Sequence, residues 1–153
     1  MPAELTIHAV HQGGMRVLAR NDRHQVLTDY PLSAGEAVEG LTSLELLLAS
    51  LATCAANSVM ALLKRKMQQD VSALEVEARG VRRDEHPMGF ARIDLEFRLL
   101  GSGLTTEIVV QALQLAEERF CPVWNMLKRG TPIASSFRIG PDTGRAQFLS
   151  LLP

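Results

Sequence analysis

The order of elements in this 153-residue chain predicts an α+β fold that forms a single domain over residues 1–153. Two observations predict this class. Segments with the alternating polarity of β-strands occur in two groups and do not each precede a helix. One long apolar helical segment separates the two groups. The predicted order is three strands, a helix, two strands, a broken helix and closing strands, with antiparallel sheets around a long central helix.

The composition excludes several function classes. Hydrophobic residues make up 46% of the chain, which is enough for a core. The formal net charge of −1 offers no basic excess for nucleic acid or an anionic membrane, so neither is expected as a partner. The first twenty residues contain no apolar block typical of a secretory signal, so we expect a cytoplasmic protein.

The amino-terminal segments predict an antiparallel sheet. Residues 5–9, 15–20 and 25–28 read as short strands, because apolar and polar residues alternate and turn residues such as Gly13 and Gly14 separate them. The segment that follows carries Pro31, Gly35 and Gly40 without periodicity, so we interpret it as a loop.

A helix over residues 44–69 is the strongest local prediction. Thr42 and Glu45 form a capping-box pattern at its start. The helix is apolar nearly all round, which predicts burial on every side and favours a homodimer that packs helix against helix. A membrane span is the competing interpretation, and we place it lower because Glu45 and Asn57 would be costly in lipid.

The second half of the chain predicts two one-sided strands, a broken helix and closing strands. The apolar stripe of the broken helix consists of Val109, Ala112, Leu113, Ala116 and Phe120. In chain order the predicted elements are strands around 74–78 and 93–99 joined by a hairpin loop at 84–89, a helix over 105–120 that Pro122 interrupts, and closing strands at 131–139 and 145–149.

Cys121 stands directly before a proline. Proline suits the first position of a helix, so Pro122 should open a short helix over residues 123–129 with Cys121 as its N-cap. A thiol at that position feels the positive end of the helix dipole, which favours the thiolate.

Cys54 lies inside the long helix. A cysteine among Ala and Leu is usually a small core residue, but Ser50, Asn57 and Ser58 lie on the same helical face and make it partly polar. Because burial raises a thiol pKa, reactivity would need a cation from another element, and an arginine is the natural donor. The 67-residue separation of the two cysteines suggests neither a thioredoxin motif nor a zinc site, so no metal is expected.

Three stretches resemble a known family. SLELLLASLATCAANSVMALLKRK, HPMGFARIDLEFRL and ALQLAEERFCPV together are similar to the OsmC/Ohr family of osmotically inducible and organic hydroperoxide resistance proteins, most clearly after residue 40. The resemblance implies an OsmC-like fold, in which antiparallel sheets surround long buried central helices in an intertwined homodimer.

The resemblance also implies a reaction. Cys54 would attack an organic hydroperoxide and become a sulfenic acid, and Cys121 would condense with it to a disulfide. An external dithiol, such as a lipoyl protein, would then reduce this disulfide. No cofactor is implied. The family's site also contains an arginine from the amino-terminal sheet, for which Arg16 is the best match and Arg20 the second.

The chain departs from the family pattern at the site glutamate, which precedes the cysteine by ten positions in the hydroperoxide reductases. Leu44 occupies that position here, and Glu45 lies one residue later. Glu45 is therefore a candidate catalytic residue whose alternative role is to cap the helix with Thr42. The alternative function is an OsmC-like dimer that binds a small apolar ligand without redox turnover.

Overall fold

The computed structural model describes residues 3–140 of the chain. These residues divide into two compact units between Leu47 and Leu48. The predicted closing strand at 145–149 lies outside the described residues.

The first unit contains a three-stranded antiparallel sheet in the order β1 (His8–His11), β2 (Val17–Arg20) and β3 (Gln25–Thr28). The third strand has the predicted bounds. The first begins three residues later than predicted, and Leu5 is 93% exposed. Pairing starts at His8 because the register places it opposite Arg20, the last residue of β2.

Helix α1 (Ser43–Ala61) begins at the predicted capping box and continues as a π-helical segment over Leu62–Lys66. The backbone N–H of Met67 donates to the Leu62 carbonyl at 2.9 Å, which closes the wider turn. The prediction that the helix reaches residue 69 is wrong, because Gln68 adopts the left-handed conformation with φ of 53° and ends it.

The predicted burial of α1 on all sides was coupled to a homodimer, and a single chain buries only part of this helix. Its fully buried residues are Leu51, Ala55 and Val59, and only 28% of its most apolar window is buried. The stretch Ser43–Lys66 is long and apolar enough to cross a membrane by length and composition. Core helices of soluble proteins have the same properties, so this feature is weak evidence for a span.

The second unit is built on β4 (Ala73–Arg82), β5 (Phe90–Leu100) and β6 (Ile133–Gly140). The apolar side chains of β5 alternate as predicted, and the buried ones are Ile93, Leu95, Phe97 and Leu99. Strand β5 pairs antiparallel with β4 but parallel with β6. The parallel pair departs from the all-antiparallel expectation because helices connect β5 to β6, and such a crossover returns the chain in the same direction.

The crossover consists of α2 (Thr106–Leu115), a π-helical segment (Ala116–Phe120) and α3 (Pro122–Leu127). Four residues of the predicted apolar stripe are buried: Val109, Ala112, Leu113 and Ala116. Phe120 is 48% exposed, contrary to the prediction. The bond from the Cys121 N–H to the Ala116 carbonyl, 2.8 Å, widens the turn and rotates Phe120 out of the α-helical register. The α+β class is confirmed.

Candidate functional site

The structure brings the two cysteines together in the second unit. Cys54 lies on α1, and Cys121 lies between the π-helical segment and α3. Their sulfur atoms are 3.0 Å apart, and the Cys121 thiol donates to the Cys54 sulfur. Because a disulfide bond measures about 2.05 Å, this is a contact between two free thiols.

Local sequence explains where Cys121 sits. Pro122 opens α3 as predicted, and Cys121 is the N-cap with an extended backbone, φ −101° and ψ 98°. The helix ends at Leu127, so it is shorter than the predicted 123–129. The side chain of Trp124 stacks on Phe97 of β5, with ring centroids 6.1 Å apart, and thereby anchors α3 to the sheet.

The expectation that Cys121 is prone to form a thiolate is wrong. The residue is 0% exposed, and burial raises the pKa of its thiol to about 11, with the hydrogen bond to Cys54 acting in the same direction. The Trp124 backbone N–H and the Ser58 hydroxyl lower this pKa but do not outweigh burial. At neutral pH Cys121 is therefore a protonated donor facing Cys54, which is partly exposed.

Ser58 connects the two cysteine segments. It lies one helical turn after Cys54, and its hydroxyl donates to the Phe120 carbonyl at 3.0 Å. Asn125 stabilises the same segment from α3, because its side-chain amide donates to the Glu118 carbonyl at 3.0 Å. These bonds fix the chain on both sides of Cys121.

An apolar groove of about 410 Å³ begins beside the cysteine pair. Its lining consists of Asn57, Ser58, Ala61, Leu62, Arg65, Lys66 and Phe120. The Lys66 ammonium lies 5.4 Å from the centre of the Phe120 ring. Both π-helical segments contribute to this groove, and such segments are frequent at functional sites.

The two arginine candidates lie in the first unit. Arg16 does not belong to β2, because its N–H donates to the Gly13 carbonyl and places it in the turn before the strand. Its guanidinium is 3.4 Å from the Glu39 carboxylate. Arg20 is the last residue of β2. The activating role of either arginine stays a prediction.

Glu45 forms the capping box with Thr42. Its carboxylate accepts from the Thr42 N–H at 2.7 Å and from the Thr42 hydroxyl at 2.9 Å. In return, the Glu45 N–H donates to the Thr42 hydroxyl at 3.3 Å. These bonds hold the pKa of Glu45 below its usual value. The capping interpretation is confirmed, and a catalytic role for Glu45 stays a prediction.

Sequence reasoning did not assign a role to Ser58, Arg65, Lys66 or Phe120. Ser58 could have been placed at the site from the sequence, because it follows Cys54 by four residues and therefore lies beside it on the helix. The exposure of Phe120 depends on a π-turn, which no short sequence pattern predicts. Within residues 3–140, no three His, Cys, Asp or Glu side chains are grouped so that they could hold a metal ion.

Comparison with known proteins shows the family to which this chain belongs. Residues 35–136 match the family described as OsmC-like protein, and this range contains both cysteines. The chain belongs to the OsmC-like protein family. It is 31% identical to Protein YhfA of Escherichia coli K12 over 116 residues. The aligned region covers 76% of this chain and 83% of the relative.

Solved structures of OsmC-like proteins share the fold. The crystal structure of an OsmC-like protein from Mycoplasma pneumoniae matches with a TM-score of 0.77 at 19% identity, covering 92% of this chain and 99% of the other. An organic hydroperoxide resistance protein from Elizabethkingia anophelis matches with a TM-score of 0.66 at 21% identity and the same coverages. The OsmC-like fold that the sequence predicted is therefore confirmed.

Proposed function

We propose that this OsmC-like protein is a thiol-dependent peroxidase that reduces organic hydroperoxides to alcohols. The observation that carries the proposal is the contact of 3.0 Å between Cys54, which is partly exposed, and Cys121, which is buried. A reactive sulfur must meet the substrate, and its partner must be near enough to form a disulfide. Membership of the OsmC-like family and the fold shared with hydroperoxide resistance proteins support this reading.

Cys54 performs the first step. Its thiolate attacks the terminal oxygen of the hydroperoxide, the O–O bond breaks, and the electron pair leaves on the alkoxide, which takes up a proton to become the alcohol. Cys54 is oxidised to a sulfenic acid. The Cys121 thiol stabilises the attacking thiolate, because it donates a hydrogen bond to the Cys54 sulfur.

Cys121 performs the second step. Its sulfur attacks the sulfenic sulfur of Cys54, an S–S bond forms, the S–O bond breaks, and water leaves with the Cys121 proton. The raised pKa of Cys121 keeps it protonated until the sulfenic acid has formed. An external dithiol then reduces the disulfide by thiol–disulfide exchange, and a cytoplasmic location would supply such a dithiol.

Two further parts of the proposal concern groups around the cysteines. Arg16, with Arg20 as the second choice, supplies the cation that favours the Cys54 thiolate. The active form is a homodimer, since α1 leaves much of its apolar surface uncovered in one chain. A second copy is the partner expected to cover it.

The test uses reduced protein and cumene hydroperoxide, with sulfenic acid trapped by dimedone. Wild-type protein should lose both thiols and trap little dimedone, because Cys121 consumes the sulfenic acid. Cys121→Ser should trap dimedone on Cys54, and Cys54→Ser should keep its remaining thiol. Thiols that survive in the wild type would contradict the proposal and favour ligand binding without turnover. Arg16→Ala should slow thiol loss; an unaffected rate would transfer the role to Arg20.

A further inference from the structure

The helical backbone is interrupted where Cys121 leaves it, over residues 116–122, which we call the interrupted turn. In an α-helix the N–H of residue 122 would donate to the carbonyl of Glu118, but Pro122 has no N–H. The N–H of Cys121 donates to the Ala116 carbonyl, five residues back, at 2.8 Å, so it does not serve Glu117 as an α-helix would require. The Glu117 and Glu118 carbonyls therefore lose their α-helical donors.

The side chain of Asn125 supplies a donor in place of the N–H that Pro122 lacks. Its amide nitrogen donates to the Glu118 carbonyl at 3.0 Å and lies 3.5 Å from the Glu117 carbonyl. Its backbone N–H donates to the Cys121 carbonyl at 3.0 Å, which forms the first turn of α3. One residue therefore ties together the chain before Cys121, Cys121 itself and α3.

This replacement of a backbone donor by a side-chain amide lets Cys121 leave the helical conformation without leaving the Glu118 carbonyl unbonded. The backbone of Cys121 is extended, with φ −101° and ψ 98°. Its sulfur lies 3.0 Å from the Cys54 sulfur. A thiol that is already held beside its partner forms a disulfide faster than a mobile one, because the entropy of bringing the sulfurs together has been lost in advance.

The other contacts of α3 act elsewhere. Trp124 stacks on Phe97 and fixes α3 against the sheet. The Lys128 ammonium lies 3.4 Å from the Glu117 carboxylate, but both side chains are partly exposed, and such ion pairs contribute little to stability. Neither contact bonds the backbone of the interrupted turn, as the Asn125 amide does.

We propose that Asn125 is a positioning residue of the cysteine pair, whose side-chain amide holds the interrupted turn so that Cys121 faces Cys54. This inference rests on the proposed peroxidase function for its role in turnover, whereas the pairing of the two thiols can be measured without a hydroperoxide. Loss of the amide should slow disulfide formation and make the disulfide less stable relative to the two thiols. Asn125 acts through the Cys121 backbone, so the first step at Cys54 should be affected far less.

Asn125→Asp is the sharpest variant. Aspartate has nearly the same shape and keeps the oxygen that accepts from Arg129 at 3.4 Å, but it has no N–H to donate. Asn21→Asp is the matched control, in the turn between β2 and β3. The Asn21 side-chain oxygen accepts from the backbone N–H groups of Arg23 at 2.9 Å and His24 at 2.8 Å, and aspartate retains both bonds.

Equilibration with oxidised and reduced dithiothreitol, followed by thiol counting, measures the pairing in the absence of hydroperoxide. The equilibrium constant for the Cys54–Cys121 disulfide should fall about tenfold in Asn125→Asp, because a bond is lost and a carboxylate faces a carbonyl. Asn125→Ala removes the donor without adding a charge and should lower the constant about fivefold, which keeps the test open if Asn125→Asp does not fold. Asn21→Asp should match the wild type. An unchanged constant in the Asn125 variants would overturn the proposal.

Reaction with cumene hydroperoxide then separates this role from a general loss of structure. In Asn125→Asp the conversion of the Cys54 sulfenic acid to the disulfide should slow far more than its formation, so dimedone should trap more of it than in the wild type. Equal slowing of both steps would contradict a positioning role. A shifted dithiothreitol equilibrium without any peroxide consumption would support the role of Asn125 and contradict the peroxidase function. Peroxide consumption with an unshifted equilibrium would do the reverse.

Discussion

Cys121 illustrates how burial can override a local electrostatic preference. The helix start beside it favours the thiolate, yet removal from water raises the pKa of its thiol to about 11. An exposed thiol at the same helix N-cap would be expected to be reactive. Here Cys54 is partly exposed, and Cys121 is a buried, protonated thiol that donates a hydrogen bond to it.

Alkylation should therefore distinguish the two sulfurs. Relative to a usual thiol pKa of 9.0, a value of about 11 leaves about 100-fold less Cys121 thiolate near neutral pH. Iodoacetamide treatment of the folded protein, followed by peptide mass mapping, should label Cys54 first. Cys121 should react at least 100-fold more slowly than it does in urea. Equal labelling of both cysteines in the folded protein would contradict the assignment.

Ser58 offers a second test at the level of a single residue. Ser58→Ala removes the hydrogen bond to the Phe120 carbonyl and the hydroxyl that favours ionised Cys121. Disulfide formation from the sulfenic acid should slow about fivefold, the equivalent of one hydrogen bond of about 1 kcal/mol. Stopped-flow recording with a dimedone competitor would measure it.

Ser50→Ala is the control for this variant. Ser50 lies four residues before Cys54 and is exposed. The resolution rate of Ser50→Ala should match that of the wild type, so an equal slowing in both variants would show that Ser58 has no special position.

At the scale of elements, the capping box on α1 is the interaction with the clearest linkage to pH. Thr42→Ala removes the bond that the Thr42 hydroxyl donates to the Glu45 carboxylate and the bond that this hydroxyl accepts from the Glu45 N–H. It should lower the free energy of unfolding by about 0.5–2 kcal/mol. The Thr42 backbone N–H and, after it, the Thr42 hydroxyl lower the pKa of Glu45. The stabilisation from the bond between hydroxyl and carboxylate is therefore present above the usual value of 4.5 and is lost as the pH falls through the lower folded value. Denaturant unfolding should show a larger difference between wild type and variant at pH 7 than at pH 3, because the bond from the Glu45 N–H to the Thr42 hydroxyl does not depend on pH.

Glu45→Ala tests the catalytic alternative for the same residue. If Glu45 only caps the helix, this variant should resemble Thr42→Ala in stability and in peroxide consumption. A loss of peroxide consumption that exceeds that of Thr42→Ala would assign Glu45 to the reaction.

The elements themselves were largely predictable, and the exceptions have specific causes. The alternation in β5 and the capping residues of α1 are local signals, so the sequence alone located these elements. The parallel partner of β5 depends on the path of the α2–α3 crossover, and the exposure of Phe120 depends on a π-turn. Neither has a short-range pattern. The approach of Cys54 to Cys121 could be anticipated only from the family resemblance, since 67 residues separate them.

At the scale of the whole molecule, the uncovered apolar surface of α1 is the basis of the homodimer proposal. Thr53, Asn57 and Ala61 are exposed positions of α1 spaced by four residues, so they lie on one face of the helix. Their side chains are short, so a second helix could approach this face closely. Light scattering should give twice the chain mass of 16.8 kDa. Thr53→Arg should shift this mass toward the monomer, whereas Gln111→Arg on the exposed side of α2 should not. A wild-type protein that remains monomeric at micromolar concentration would contradict the homodimer.

The most direct test of the account is the stoichiometry of oxidation in the wild-type protein. Reduced protein is titrated with tert-butyl hydroperoxide, free thiols are counted after each addition, and the oxidised product is digested and mapped by mass spectrometry. One equivalent of hydroperoxide per chain should remove both thiols and join the peptides that contain Cys54 and Cys121 within one chain. Thiols that persist after excess hydroperoxide, or a disulfide found only between chains, would contradict the central claim that these two sulfurs act as one redox pair.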